Sequence, residues 1–408
     1  MDSITKQVNK IYNERNPSTY IKNETEIIDF VENRKAFLLK LKLPPKIFIN
    51  SNLIDFGCGM GQNTLVYDHL GANCTLLEYD KFSYQNCKLL FQKYSKNKFQ
   101  IHNIDLFDFN SKKESFDFVV SNGVAHHTKD PIRNIKICMD TLKPGGFFIL
   151  GIGNKSGFFQ RNLQRYILYT ISNSNDDIVK YSKLLFKEHL KRSVKFSGRS
   201  TDEVIYDTYL NPKIYCFGTK EILDLFNQNG LSLYSSFQEL KFVNRFLETD
   251  ANQFKLTAKV NGSKYCENNI EDVILADLED LTLSNNKLNN QKIINQLRSL
   301  TTTFNEISDH INDINFLGFV DNKLSEFIKN VKQYRKKVNN LKSIDLLNKS
   351  HNDVFLTETL QVLKILNKKN DKLVKLNEIK KYLITCKKLF KNVNGVGMNY
   401  YVGYKNEK

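Results

Sequence analysis

Three glycines stand at alternate positions directly after a short apolar run. Gly57, Gly59 and Gly61 follow the predicted strand Asn52–Phe56 and precede a helical pattern over Gln62–Leu70. A glycine-rich turn between a strand and a helix lets the backbone approach a ligand closely, and the helix start presents N–H groups that lack helical partners. The turn is therefore suited to binding a nucleotide-like ligand.

A nicotinamide dinucleotide is the first alternative for such a turn. Its fingerprint, G-x-G-x-x-G, places the third glycine three residues after the second. Gln62 occupies that position in this chain, and the third glycine comes one residue early, at Gly61. The spacing therefore disfavours a dinucleotide.

Acidic residues follow the next two predicted strands. Glu78 ends the strand Cys74–Glu78, about 20 residues after the glycine turn, where ribose recognition in such folds is expected. Its two oxygens can accept hydrogen bonds from two ribose hydroxyls, and Asp80 is the alternative for this role. Asp105 follows the third predicted strand, Phe99–His102, and can accept a hydrogen bond from an adenine amino group.

The elements that must position these residues alternate between strands and helices. Such alternation predicts an α/β fold with a parallel sheet covered on both faces. Lys143-Pro144-Gly145-Gly146 predicts a helix end and a turn. Thr219 is a plausible N-cap. The remaining predicted elements are the strands Phe116–Ser121, Gly146–Ile152 and Leu231–Phe237 and the helices Ser83–Tyr94, Ile132–Leu142 and Thr219–Asn229.

Five motifs occur in a characteristic order. They are LIDFGCGMGQNT, LEYD, NIDLFDF, FDFVVSNGVAHHTKDP and LKPGGFFIL. Over residues 45–155, and loosely over 219–237, the chain resembles class I S-adenosylmethionine (SAM)-dependent methyltransferases, in particular the ubiquinone-biosynthesis-like group. The resemblance implies a Rossmann-like seven-stranded sheet and SAM as cofactor. The cofactor-binding residues expected on this basis are Asp55, Gly57, Cys58, Gly59, Gly61, Glu78, Tyr79, Asp105, Leu106, Asn122 and Gly123.

Two adjacent histidines, His126 and His127, follow the fourth predicted strand, where substrate usually meets cofactor in this family. A histidine can act as a general base near neutral pH, so both are candidates for a catalytic role on the acceptor side. The alternative is that they serve loop packing or cofactor contact. No metal site is expected, because neither a cysteine nor an acid nearby completes a ligand set.

The domain organisation that the sequence predicts has four parts. Residues 1–50 would form an N-terminal helical cap, in which Tyr12 and Tyr20 are candidates to close over SAM. Residues 51–260 would form the SAM-binding domain, with an aromatic-rich insertion at about 153–215 as acceptor pocket or lid. Residues 261–392 read as a helical domain or insertion, and 393–408 as a turn and a strand that could return to the sheet edge.

Composition narrows the function less than the motifs do. The 408 residues carry a net charge of +16, but the basic residues are spread along the chain. Neither a secretory signal nor a membrane-spanning run is visible, and seven irregularly spaced cysteines argue against a disulfide framework, so a cytoplasmic location is expected. A small-molecule acceptor, methylated on O, N or C, is the favoured reading. The alternatives are an RNA or protein acceptor bound by the basic helical region, or a non-catalytic scaffold.

Overall fold

A computed structural model describes most of the chain. The described residues are 6–7, 24–110, 113–197, 199–237, 241–243, 255–257, 291–312, 314, 323–340, 349–391 and 398–407. Tyr12 and Tyr20, which the sequence suggested as covers for the cofactor, lie outside this set.

A seven-stranded sheet is the centre of the fold, in the order β3-β2-β1-β4-β5-β9-β6. The first five of these strands are parallel, and β9 runs antiparallel to both of its neighbours. The expected α/β fold with a Rossmann-like seven-stranded sheet is confirmed. The strands are β1 Asn52–Phe56, β2 Asn73–Glu78, β3 Phe99–Asn103, β4 Phe116–Asn122, β5 Leu142–Gly153, β6 Leu231–Phe237 and β9 Met398–Lys405, and a separate two-stranded ribbon contains β7 Lys241–Val243 and β8 Lys255–Thr257.

Helices cover the sheet, and polar side chains cap two of them. Asp80 accepts a hydrogen bond from the Ser83 amide at 2.7 Å, and Asp130 accepts one from the Arg133 amide at 2.9 Å. Such side-chain oxygens satisfy N–H groups that have no partner inside the helix. The helices next to the sheet are α1 Glu24–Lys40, α2 Gln62–His69, α3 Lys81–Tyr94, α4 Pro131–Thr141 and α9 Thr219–Gln228.

Three local expectations were wrong. Gly218, and not Thr219, is the N-cap of α9, because the Glu221 side chain reaches back and accepts from the Gly218 amide at 2.7 Å. The Lys143–Gly146 segment lies inside β5 as an irregularity in the pairing with β4, and not in a turn before the strand. The final strand, β9, lies between β5 and β6, and not at the sheet edge.

The expected insertion after β5 is a set of helices. They are α5 Lys155–Ile171, α6 Asn175–Leu185, α7 Lys187–Ser197 and α8 Thr201–Ile205, followed by a π-helical turn over Tyr206–Leu210. Its aromatic side chains are largely buried and belong to the same hydrophobic core as one face of the sheet. The insertion therefore folds onto the sheet domain.

Among the described residues, four further helices stand between β6 and β9: α10 Gln291–Asp309, α11 Leu324–Asn340, α12 Lys349–Leu366 and α13 Lys372–Thr385. Their buried side chains belong to the same core as those of α5 and the sheet. Because β9 returns to the sheet only after these helices, the helical region is an insertion within the sheet domain and not an appended tail. No helix among the described residues is long and apolar enough to cross a bilayer.

Candidate functional site

A cavity of about 240 Å³ lies at the carboxyl ends of β1, β2, β3 and β4. Ligands bind at this edge in open α/β sheets, because the loops that follow parallel strands meet there. The lining residues come from four successive loops: Gly57 and Gly59; Leu77, Glu78, Tyr79, Asp80 and Ser83; Ile104, Asp105, Leu106 and Phe107; and Asn122, Gly123, Val124, His127, Thr128 and Lys129.

The glycines of the first loop have left-handed backbone conformations, with φ of +79° at Gly57, +57° at Gly59 and +75° at Gly61. A Cβ on Gly57 would lie 2.7 Å from the Val124 methyl groups, whereas a Cβ on Gly59 would meet nothing within 4 Å. The open space beside Gly59 belongs to the cavity. Ligand atoms can therefore approach the backbone of this loop directly.

Glu78 connects two loops of the cavity. Its Oε2 accepts a hydrogen bond from the Gly59 amide at 2.7 Å, and its Oε1 accepts one from the Asp80 amide at 2.8 Å. Burial raises the pKa of this carboxyl to about 7, although the amide hydrogen bonds oppose the shift. Each carboxylate oxygen keeps acceptor capacity for a further donor, such as a ribose hydroxyl.

The third loop supplies an acidic group between apolar side chains. Asp105 Oδ1 accepts from the Phe107 amide at 3.0 Å, which fixes the carboxyl at the cavity wall. Ile104 and Leu106 stand on either side of Asp105 in the chain, and both line the cavity. An aromatic ring placed here would meet apolar faces and a polar edge.

The fourth strand ends at an asparagine and a glycine. A Cβ on Gly151 would lie 2.5 Å from Asn122 Oδ1, so the absence of a side chain on β5 makes room for the Asn122 amide. Gly123 has φ of +77° and donates from its amide to the Gly151 carbonyl at 2.8 Å. This end of the cavity is therefore held by backbone contacts between β4 and β5.

The two histidines occupy different environments, although their ring centroids are only 4.1 Å apart. His127 lines the cavity, and its Nδ1 lies 2.7 Å from the Lys213 carbonyl oxygen, to which it donates. His126 is only 2% exposed and accepts from the Gly153 amide at 3.4 Å. Burial lowers the pKa of both rings, and at His127 the charge of Asp207 opposes the shift.

Comparison with known proteins relates part of the sequence to a family. Residues 54–150 match the model of the methyltransferase domain family. These residues form a class I SAM-dependent methyltransferase domain. The expected family resemblance is thereby confirmed.

The methyltransferase domain also has a curated relative. The chain is 25% identical over 173 residues to a ubiquinone biosynthesis O-methyltransferase of Nitrosospira multiformis, and the alignment spans 41% of this chain and 70% of the relative.

Several solved structures are similar to part of this chain. The YcgJ protein of Bacillus subtilis is 16% identical, with a TM-score of 0.31, and the aligned region spans 50% of this chain and 72% of the YcgJ chain. A magnesium protoporphyrin IX methyltransferase of Synechocystis with bound SAH is 14% identical, with a TM-score of 0.33, and the aligned region spans 62% of this chain and 90% of that methyltransferase. Neither TM-score reaches 0.5.

Four residues that the sequence assigned to the methyltransferase site do not line its cavity. Asp55 Oδ2 accepts from Thr64 Oγ1 at 2.5 Å, and burial raises the pKa of its carboxyl to about 7. Cys58 Sγ lies 3.8 Å from the buried Cys87 Sγ. A Cβ on Gly61 would lie 2.5 Å from that same sulfur. These three residues pack on the side of the glycine loop that faces away from the cavity. The fourth, His126, is buried next to His127 and does not reach the cavity.

Sequence reasoning missed several lining residues of the methyltransferase domain. They are Leu77, Ser83, Ile104, Phe107, Val124, Thr128 and Lys129. Most of them lie one or two positions from a predicted site residue, so adjacency to the motifs was the available signal. Among the described residues, no group of three or more potential metal ligands is present.

Proposed function

We propose that this chain binds SAM in the cavity beside the glycine loop and transfers its methyl group to a small-molecule acceptor. One observation carries the proposal. A single cavity joins Gly59, Glu78 and Asp105, which suit a nucleoside, to His127, which suits an acceptor.

The described residues fit this cofactor. Both Glu78 oxygens are fixed by loop amides and can accept from the ribose hydroxyls. Asp105 can accept from the adenine amino group, with Ile104 and Leu106 against the ring. The methionine part would extend toward Gly57 and Asn122. The carboxylates of Glu78 and Asp105 also favour a cationic ligand.

The cofactor, when bound, supplies a methyl group that is already activated by its sulfonium. The protein must then hold the acceptor in line and exclude water. His127 has a further role in this proposal. Because its Nδ1–H donates to the Lys213 carbonyl and burial lowers its pKa, the ring is neutral at pH 7 with its lone pair on Nε2. A neutral imidazole can accept a proton from an acceptor hydroxyl or amine.

A small molecule is favoured as acceptor because both helical insertions pack against segments that lie near His127. Asn312, after α10, exchanges two hydrogen bonds with the backbone of Cys216, at 2.7 and 2.9 Å. Lys155 at the start of α5 pairs with Glu221 at 2.8 Å and with Asp309 of α10 at 2.9 Å. These contacts hold both insertions against the loops near His127. We infer that the helical region shapes the acceptor site, in place of the RNA- or protein-reading role considered from the sequence.

Transfer of label from methyl-labelled SAM into fractions of a cell extract tests the proposal. We expect label in the low-molecular-mass fraction, and little of it with the Glu78→Ala variant. Label confined to the RNA or protein fraction would contradict the acceptor class. The absence of SAM binding by the wild-type protein would contradict the proposal as a whole.

A further inference from the structure

Two arginines one helical turn apart on α5 contact no carboxylate among the described residues. Arg165 is 0% exposed. Its Nη2 donates to Tyr169 Oη at 2.9 Å and to the carbonyls of Asn211 at 2.8 Å and Ile314 at 3.2 Å. Its Nη1 is buried and has no hydrogen-bond partner. A buried guanidinium that only neutral groups contact is costly unless an anion joins it.

Arg161, one helical turn before Arg165 in α5, is connected to the histidines through a phenylalanine ring. The only partner that the described residues give its guanidinium is the Phe158 ring, whose centroid is 4.5 Å from Cζ. The Phe158 ring lies 6.0 Å from the His126 ring, which in turn lies 4.1 Å from the His127 ring. Phe158 and His126 therefore connect the Arg161 guanidinium to His127, which lines the cavity.

The segment from Asn211 to Lys213 connects the buried arginine to the same histidine. The Asn211 carbonyl accepts from Arg165, and the Lys213 carbonyl accepts from His127 Nδ1. Asn211 is 0% exposed, and its Nδ2 has no hydrogen-bond partner. Arg165 Nη1 and Asn211 Nδ2 are both donors, so oxygen acceptors would satisfy them.

The charges around these donors do not cancel. Asp207 is the acidic residue whose charge acts on Arg161, and it is already ion-paired with Arg199 at 3.1 Å. Burial lowers the pKa of Arg161, and the same cause, with Arg161 and Arg192, lowers the pKa of His189 to about 3. The surroundings of Arg161 and Arg165 therefore keep a surplus of positive charge.

We propose that Arg161 and Arg165 bind a carboxylate or phosphate group of the methyl acceptor, next to His127. The proposal rests on the proposed function and specifies its substrate as an anionic small molecule. Arginine presents a planar fork of donors that matches the oxygens of both groups, so these residues would set acceptor specificity. The helical region contributes through the Ile314 carbonyl, which helps to hold Arg165 in place.

Calorimetric titration of three ring compounds of similar size tests the proposal, with the protein saturated with S-adenosylhomocysteine. Benzoate and phenyl phosphate carry the two candidate anionic groups, and benzyl alcohol is the neutral control. We expect at least one anion to bind roughly tenfold or more tightly than the alcohol, because charge-assisted hydrogen bonds are the strong ones. The preferred anion identifies the group. Equal binding of all three compounds, or no binding, would overturn the proposal.

The Arg161→Gln variant locates the preference. Arg161 is only partly buried, so the variant should fold, and we expect it to lose roughly tenfold in affinity for the preferred anion. The control Lys332→Gln removes one positive charge from an exposed position of α11 and should change nothing. An Arg161→Gln variant that binds the anion as tightly as wild type would overturn the proposal. Affinity for S-adenosylhomocysteine, measured on the same samples, reports separately on the proposed function.

Discussion

Replacing Glu78 by glutamine should weaken SAM binding without emptying the cavity. Glutamine has the same shape but replaces one acceptor oxygen by an NH₂ donor, which would face the Gly59 or the Asp80 amide, both at hydrogen-bond distance in the native loop. The change therefore removes a charge-assisted bond to the ribose and sets a donor against a donor.

The size of the effect follows from the bond that is lost. Hydrogen bonds to charged groups contribute about 1.5–3 kcal/mol, so a loss of about 2 kcal/mol corresponds to roughly thirtyfold weaker binding. The pH dependence is a second signature. Burial raises the pKa of Glu78 to about 7 in the ligand-free protein. Ribose hydroxyls donate only to the ionised carboxylate at full strength, so SAM affinity should rise about tenfold between pH 6 and pH 8.

Calorimetric titration with SAM at several pH values measures both effects. The Glu78→Gln variant should bind weakly and lose the part of the pH dependence that Glu78 causes. Asp55, whose pKa burial also raises to about 7, remains in both proteins, so the comparison isolates Glu78. The control Glu378→Gln removes a carboxylate that pairs with Lys368 at 2.6 Å on the helical region. An affinity of Glu78→Gln within threefold of wild type, with an unchanged pH profile, would refute the ribose assignment.

Three further predictions concern proton transfer, an ion-pair cluster and a glycine. His127→Gln should lower kcat by about 10²-fold or more and leave the affinity for SAM nearly unchanged. In the wild-type protein, kcat should fall on the acid side only below pH 6.5, because burial lowers the pKa of His127. A kcat of the variant within threefold of wild type would exclude a base role. Lys155→Met should lower the free energy of unfolding by about 2 kcal/mol, because a side chain that is only 2% exposed loses two ion pairs. The control Lys368→Met removes an ion pair at the surface and should lower the free energy of unfolding by less than about 1 kcal/mol. Equal losses for the two variants in denaturant unfolding would contradict this prediction. Gly61→Ala should lower the free energy of unfolding by more than the about 1–2 kcal/mol that left-handed backbone strain alone would cost, because the new Cβ would lie 2.5 Å from the buried Cys87 sulfur. The control Gly230→Ala measures the strain alone, because Gly230 has φ of +73° and open space around it. Equal melting temperatures of the two variants would contradict a packing effect at Gly61.

The sequence predicted that several of the candidate residues meet at one cavity, because their placement depends on local patterns. Each of Gly59, Glu78, Asp105 and Asn122 ends a strand or follows one closely. Parallel strands bring their carboxyl ends to one sheet edge, so the order of the motifs was enough to place these residues together.

Roles that depend on tertiary contacts were not predictable in the same way. Gly61 matched the ligand loop by spacing, but its missing side chain makes room for Cys87 on a neighbouring helix. The position of β9 inside the sheet depends on pairing across about 160 to 260 residues, and such non-local pairing leaves no local pattern in the chain. The burial of Arg165, which the Asn211 and Ile314 carbonyls contact, likewise depends on segments that are distant in the chain.

A crystal structure of the protein with S-adenosylhomocysteine tests the central claim most directly. The account predicts that both ribose hydroxyls donate to Glu78, that the adenine lies beside Asp105 and Leu106, and that the sulfur points toward His127. A ligand bound elsewhere, or a cavity that stays empty at saturating ligand, would contradict it.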